Sequence, residues 1–322
     1  LMVFDADSGA ALLPKPLAVG RGAHDICIST LSGKAYITAE TDNRVTAVDI
    51  AALLDAATEA DIDAFVTESI AVTPLPHHIE PSHDGRLLYV TLASHTPTSG
   101  SPQYAVIDTT NHFVTYTTTS ENPGARAHAV FPTRHGDTVY VAHDVGNEVS
   151  ALAAASGDIV FSTATTINPP QSIARAEEVV ATRAGDQLWV AARGDGSVKR
   201  VDLAFPYAIA SIAVGVQPES VMLTPSEHTL VVSSRGMPAS LAFVDTRAGA
   251  LVDTVPIAGP GTFGNLAVMS DDGRYVYATY DAAIGGVGGV AVVDVRTRAV
   301  VQTWDYPGTG RPHGIWYLRK SR

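Results

Sequence analysis

The sequence predicts an all-β fold built as a ring of four-stranded blades. Three observations carry this. A short apolar strand recurs along the chain, centred on Tyr36, Tyr89, Tyr140, Trp189, Val231 and Tyr277, at intervals of 42–53 residues. Five of the following strands end in aspartate: Asp49, Asp108, Asp202, Asp245 and Asp294. Glycine (27) and proline (19) are plentiful while charged residues are scarce (17%), which suits many short strands joined by turns. Fixed-period self-similarity of this kind is the signature of a repeat architecture, with each unit one supersecondary element.

One unit reads as an apolar strand, a turn with Asp-Gly, a Tyr-Val-Thr-like strand, a strand ending in Val-Asp and a last apolar strand. Six units are complete. At the N-terminus, Leu1–Asp5 and the segment Leu12–Val19 match strands three and four. At the C-terminus, His313–Leu318 matches strand one. Joined, the two ends are expected to complete a seventh blade with an irregular second strand. The expectation is one domain over residues 1–322, an all-β seven-bladed β-propeller. Its last blade is shared by residues 1–19 and 313–322, and such closure removes exposed sheet edges. One segment departs from the β pattern. Ile50–Val66 is rich in helix formers and lacks Gly and Pro, so it predicts a short surface helix packed on blade one.

The residues Ser82-His83-Asp84-Gly85, Leu88-Tyr89-Val90-Thr91 and Val106-Ile107-Asp108 resemble the YVTN-type β-propeller repeat. Ser270-Asp271-Asp272-Gly273, Tyr277 and Val293-Asp294 are similar to it in the same way. The resemblance spans the whole chain. It implies the fold and leaves function open, because one fold hosts many functions.

Twelve residues before each core residue stands a polar side chain: His24, His77, His128, Glu177, Glu219 and Asn265, with His313 ending the series. Equivalent inner-strand positions converge on a propeller's axis. Four histidines at one repeat position predict a transition-metal site with His24, His77, His128 and His313 as ligands. Imidazole suits Fe, Cu, Zn and Ni. Fe(II) is the favoured ion, copper the next, with Zn and Mn also open. Glu177 and Glu219 are expected to offset the charge or orient a histidine, as catalytic groups beside the ion. His95, on the loop Leu92–Gln103, is a further acid/base candidate. A glycine-rich loop, Asp281–Gly289, opens on the same face, without phosphate-loop spacing.

Two residues before the column stand Arg126, Arg175, Gln217 and Arg311. Positions two apart on a strand share a side. These are therefore expected to crown the ring and bind a small anionic organic substrate, unless they pair with nearby carboxylates. Two residues after the column every position is apolar, from Ile26 to Ile315, which predicts a channel packed shut below the ring.

Four histidines with nearby glutamates on a propeller axis are similar to the constellation of carotenoid-cleaving oxygenases, in arrangement alone. That likeness implies a metal-dependent oxidoreductase or oxygenase. A metal-dependent lyase or lactonase, and a non-enzymatic metal- or ligand-binding scaffold, are the alternatives. The net charge of −12 and the lack of a Lys/Arg stripe exclude a nucleic-acid partner. No apolar run approaches the ~20 residues of a membrane helix. A closed ring needs no partner, so a monomer is expected. Cytoplasmic, periplasmic and secreted placement all remain open. Cys27 is the one cysteine, so no intrachain disulfide exists.

Overall fold

A computed structural model of the chain describes residues 1–55, 62–93, 103–117, 125–163, 173–204, 207–282, 286–306 and 312–318. Among them are six four-stranded antiparallel sheets, each running in chain order from an inner to an outer strand. Blade one comprises Ala23–Ile28, Lys34–Ala39, Arg44–Asp49 and Val66–Ala71. Blade two comprises Pro76–Pro81, Leu87–Leu92, Tyr104–Asp108 and Val114–Thr117. Blade three comprises Arg126–Pro132, Thr138–Val145, Glu148–Ala153 and Ile159–Ser162. Blade four comprises Ala176–Ala181, Gln187–Ala192, Ser197–Asp202 and Ala208–Ala213. Blade five comprises Pro218–Leu223, Thr229–Ser234, Ser240–Asp245 and Ala250–Pro256, and blade six Phe263–Met269, Tyr275–Asp281, Gly289–Asp294 and Ala299–Asp305.

Second strands are buried on both faces, because each blade is sandwiched between two others. Trp189, Tyr36 and Leu88 are wholly buried. Trp189, Ala191 and Val198 of blade four pack against Val221, Leu230 and Val232 of blade five. Burying each large apolar side chain contributes about 1.5–3 kcal/mol. This explains why the repeat's core position is aromatic or aliphatic in all six blades.

The structure corrects the expected blade count from seven to six. Residues 1–19 form a loose hairpin with one isolated β-bridge, Phe4 to Ala11, rather than two blade strands. Its hydrogen bonds run from Leu12 N to Val3 O (2.8 Å) and from Leu17 N to Leu1 O (2.9 Å). Pro14 and Pro16 interrupt the returning arm, and proline has no N–H to give a ladder. Pro312–Leu318 lies beside blade six with no strand assigned. Both segments still contribute apolar side chains to the core: Phe4, Ile315 and Tyr317 pack with Tyr277 and Trp304. The expected helix over Ile50–Val66 is also shorter. It spans Ile50–Asp55, with a 3-10 turn at Ile62–Phe65, and Val66 already begins a strand.

Two features place the axial side chains. All six inner strands carry a register shift at the column position, as between Ala23 and Ile26, between Pro76 and Ile79 or at His128. In the five blades other than blade three, two residues then oppose one on the second strand, which is a β-bulge. The second feature explains the threonine of the Tyr-Val-Thr-like strand. Thr38 Oγ1 donates to His77 O (2.7 Å), Thr91 Oγ1 to His128 O (2.7 Å) and Thr279 Oγ1 to His313 O (2.7 Å). Ser233 Oγ does the same for Asn265 O (2.8 Å). Each hydroxyl holds the column carbonyl of the following segment around the ring.

Thr91 is wholly buried and its hydroxyl also accepts from His78 N (3.0 Å). Thr91→Val keeps the shape and removes both bonds. Each buried group left unpaired costs about 1–3 kcal/mol. The denaturation midpoint of Thr91→Val is therefore expected to fall by an amount equivalent to at least 1 kcal/mol. An unchanged midpoint would show that the inter-blade hydroxyl is dispensable.

Candidate metal centre

The four column histidines come together on the axis. Ring centroids are 4.0 Å apart for His313 and His24, 3.7 Å for His24 and His77, and 4.4 Å for His77 and His128. His77 Nε2 lies 3.0 Å from His128 Nε2. Glu177 and Glu219 complete the arc, both almost wholly buried. Glu177 Oε2 is 2.8 Å from His128 Nε2.

The outward nitrogens define which atoms face the axis. His77 Nδ1 makes a short contact with the Glu40 carboxylate. His128 Nδ1 lies 2.8 Å from Glu177 O, and His313 Nδ1 lies 3.2 Å from His24 O. A carbonyl or carboxylate oxygen can only accept, so each of these Nδ1 atoms carries a proton. In the neutral ring the Nε2 lone pair then points inward. Ligating histidines show this pattern, with the outer N–H held by an oxygen.

Two lone pairs 3.0 Å apart repel unless a cation or a proton lies between them. The electrostatics of the protein alone supply the proton. Burial would depress His128, but the Glu177 charge and hydrogen bond, with Glu219 and Asp144 behind, raise its pKa to about 9. Burial and then neighbouring imidazoles hold His24 and His77 well below the usual histidine range. His313 falls to about 4 from burial and then the Arg235 charge. Glu177 stays ionised: burial opposes this, but His128, Arg193 and Arg175 prevail. Burial and then Glu177 raise Glu219.

Among the described residues, two sets of three side chains each offer one ligand atom within 4.8 Å of one another. They are His24, Glu40 and His77, and His128, Asp144 and Glu177. Glu40 and Asp144 were not expected from the sequence. They belong to a second column, sixteen residues after the first: Glu40, Ala93, Asp144, Arg193, Arg235 and Asp281. The same repeat alignment would have revealed it. Its charges complement the ring blade by blade. An acid stands over His24 and over His128, whereas an arginine stands over Glu177 and over Glu219.

Of the arginines at the earlier position, Arg126 and Arg175 are paired with carboxylates. Arg126 is clamped by Asp144, with Nε 2.8 Å from Oδ1 and a second, shorter contact. Arg175 Nη2 is 3.4 Å from Glu177 Oε1. Gln217 Oε1 accepts a long bond from Arg193 Nη2 at 3.5 Å. Arg175 and Gln217 precede their strands in left-handed conformations, at φ 50° and 54°. Two further cations face the ring glutamates: Arg193, 3.1 Å from Glu177 and 3.3 Å from Glu219, and Arg235, 3.3 Å from Glu219. Asn265 Nδ2 donates to Pro312 O at 3.0 Å, which ties blade six to the C-terminal segment. Arg311 and His95 lie outside the described residues, as do most of the loop Leu92–Gln103 and residues 283–285 of the glycine-rich loop.

Below the ring the expected all-apolar plug is only half right. Ile79, Val130, Val179 and Val221 are buried. The bulge, however, brings in the residue just after the column. Asp25 Oδ2 accepts from Ile79 N (3.1 Å), His78 Nδ1 from Val130 N (3.3 Å) and Glu178 Oε2 from Val221 N (3.1 Å). Each stitches its blade to the following one. Burial raises the Asp25 pKa to about 7 and lowers that of His78 to about 3. Burial, then Asp25, raises Glu80 well above the usual range.

No protein-family model and no curated protein sequence matches this chain. Solved structures do. Hydrazine synthase of Kuenenia stuttgartiensis is similar with a TM-score of 0.68 at 17% identity, over 91% of this chain and 89% of that one. A functionally unknown protein from Desulfotomaculum acetoxidans DSM 771 is similar with a TM-score of 0.65 at 12% identity, over 94% and 90%. At these identities the likeness shows the β-propeller fold and nothing finer.

Proposed function

We propose that the axial cluster is a mononuclear transition-metal centre and that the chain is a metal-dependent oxidoreductase acting on a small anionic organic substrate. One observation carries the metal: three histidines spend their Nδ1 protons outward, and two of the freed Nε2 atoms meet at 3.0 Å beside an ionised carboxylate. His24, His77, His128 and His313 would hold the ion, with Glu177 beside it. The imidazole-rich donor set fits Fe(II) first and Cu next, with Zn and Mn less well matched. Such an ion supplies Lewis acidity and, for Fe or Cu, one-electron chemistry. Glu40 orients His77, and the Glu177 carbonyl orients His128. Arg193 and Arg235 hold Glu177 and Glu219 in place and are the cations nearest an incoming anion.

A second reading is a propeller that binds a metal without turnover. It is favoured by Arg126 and Arg175, which are already paired with carboxylates. Metal-dependent turnover that disappears in His128→Ala separates the two readings.

Protein purified without an affinity tag is expected to contain about one transition-metal ion per chain by elemental analysis. His128→Ala is expected to lose it, and Glu40→Gln to bind it 10- to 100-fold more weakly. A chain that remains metal-free after reconstitution with Fe(II), Cu(II), Mn(II) and Zn(II) would end the proposal.

Metal binding must displace the proton on His128. With its pKa raised to about 9, the metal-free site is protonated below that value. Affinity is therefore expected to fall about tenfold per unit as pH drops from 8 to 6, one proton being released per ion. Competition with a chelator of known affinity measures the slope. A pH-independent affinity over this range would contradict the assignment of His128 as a ligand.

A further inference from the structure

Opposite His77 in ring order, the column changes from imidazoles to oxygen acceptors, Glu219 and Asn265. Asn265 is almost wholly buried, between Glu219 and His313 in the series. Its carboxamide orientation is fixed by its partner. Pro312 O can only accept, so the group 3.0 Å from it is the NH2, and Oδ1 is the other branch. That oxygen is buried and no hydrogen-bond donor of the protein reaches it. A buried acceptor left unpaired costs about 1–3 kcal/mol. A ligand that donates to Asn265 would recover it.

Arg235 overhangs the same sector. Its Nη1 is 3.3 Å from Glu219 Oε1, and its charge depresses the pKa of both His313 and His24. The guanidinium therefore reaches from blade five past Asn265 toward the terminal histidine. Its side chain is 38% exposed, and the four column histidines are half-buried, so solvent meets the axis from this rim. A guanidinium has five N–H donors, more than one glutamate oxygen uses.

A cation beside an unpaired acceptor selects a ligand with an anionic end and a hydrogen-bond donor. A carboxylate matches the guanidinium fork. The donor is a hydroxyl rather than an ammonium, because an ammonium would stand against Arg193, Arg235 and the ion.

We propose that the substrate of the axial centre is a small hydroxycarboxylate, with its carboxylate on Arg235 and its hydroxyl donating to Asn265 Oδ1. This rests on reading the axis as the substrate site. Both contacts are made by the protein, so they are testable with and without the ion.

The probes are glycolate and acetate, which differ by one hydroxyl. They are titrated by ligand-observed NMR into metal-free protein and into protein of measured metal content. Glycolate is expected to bind at least about tenfold more tightly than acetate in both. Arg235→Met should weaken both acids and leave their ratio unchanged. Asn265→Leu and Asn265→Asp lose the bond to Pro312 alike, but only aspartate keeps an acceptor. The preference is expected to persist in Asn265→Asp and to vanish in Asn265→Leu, with melting curves showing that both fold. Should neither fold, the ratio in the unaltered protein and in Arg235→Met still decides. Equal binding of the two acids, binding of neither, or a preference that survives in Asn265→Leu would overturn the proposal. A protein that takes up no metal yet prefers glycolate through Asn265 would refute the metal centre and uphold this site. One that binds metal without the preference would do the reverse.

Discussion

The axial centre depends on one constraint: the carbonyl of a column residue is taken by the segment before it in the ring. Thr38, Thr91, Ser233 and Thr279 supply a hydroxyl for this purpose. Where blade three has Ala142 instead, His128 supplies an imidazole N–H to Glu177 O. A buried carbonyl without a partner is costly, so these bonds set the phase of one inner strand against the next. The β-bulge at the same place then turns two successive side chains toward the axis and the neighbouring blade. Ring, stitch and channel all follow from that local geometry.

The site concentrates charge in a place where water is scarce. Isolating an ion there costs several kcal/mol, and pairing recovers this only with close geometry and further hydrogen bonds. The second column meets that requirement. Arg193 bridges Glu177 and Glu219, Arg235 holds Glu219, and Asp144 holds Arg126. The imidazoles meet it differently, because most of them stay neutral. Only His128, in contact with Glu177, is electrostatically driven to carry a charge.

The repeat was legible in the sequence because each blade buries the same central residue and ends its third strand in the same way. The convergence of His24, His77, His128 and His313 was legible for the same reason. What the sequence misjudged was local. Counting strand-like terminal segments as a blade ignored the donors that Pro14 and Pro16 remove. The bulge hid Asp25, His78 and Glu178 from a simple period of two. Glu40, Asp144, Arg193 and Arg235 were overlooked although the period that located the histidines also aligns them, because only the first polar column was read.

His313 belongs to the segment that closes the circle, and polar ties hold that segment to its neighbours. Asn265 reaches Pro312, Thr279 reaches His313, and His313 reaches His24 O. Mechanically the molecule is a hoop whose two ends meet at this segment, and one of its candidate ligands sits on the join. An ion gripping His313 together with His24 and His77 would act as a clasp between the two ends of the chain. Loss of the ion would then be felt first as loosening of the hoop at that join, before any blade came apart.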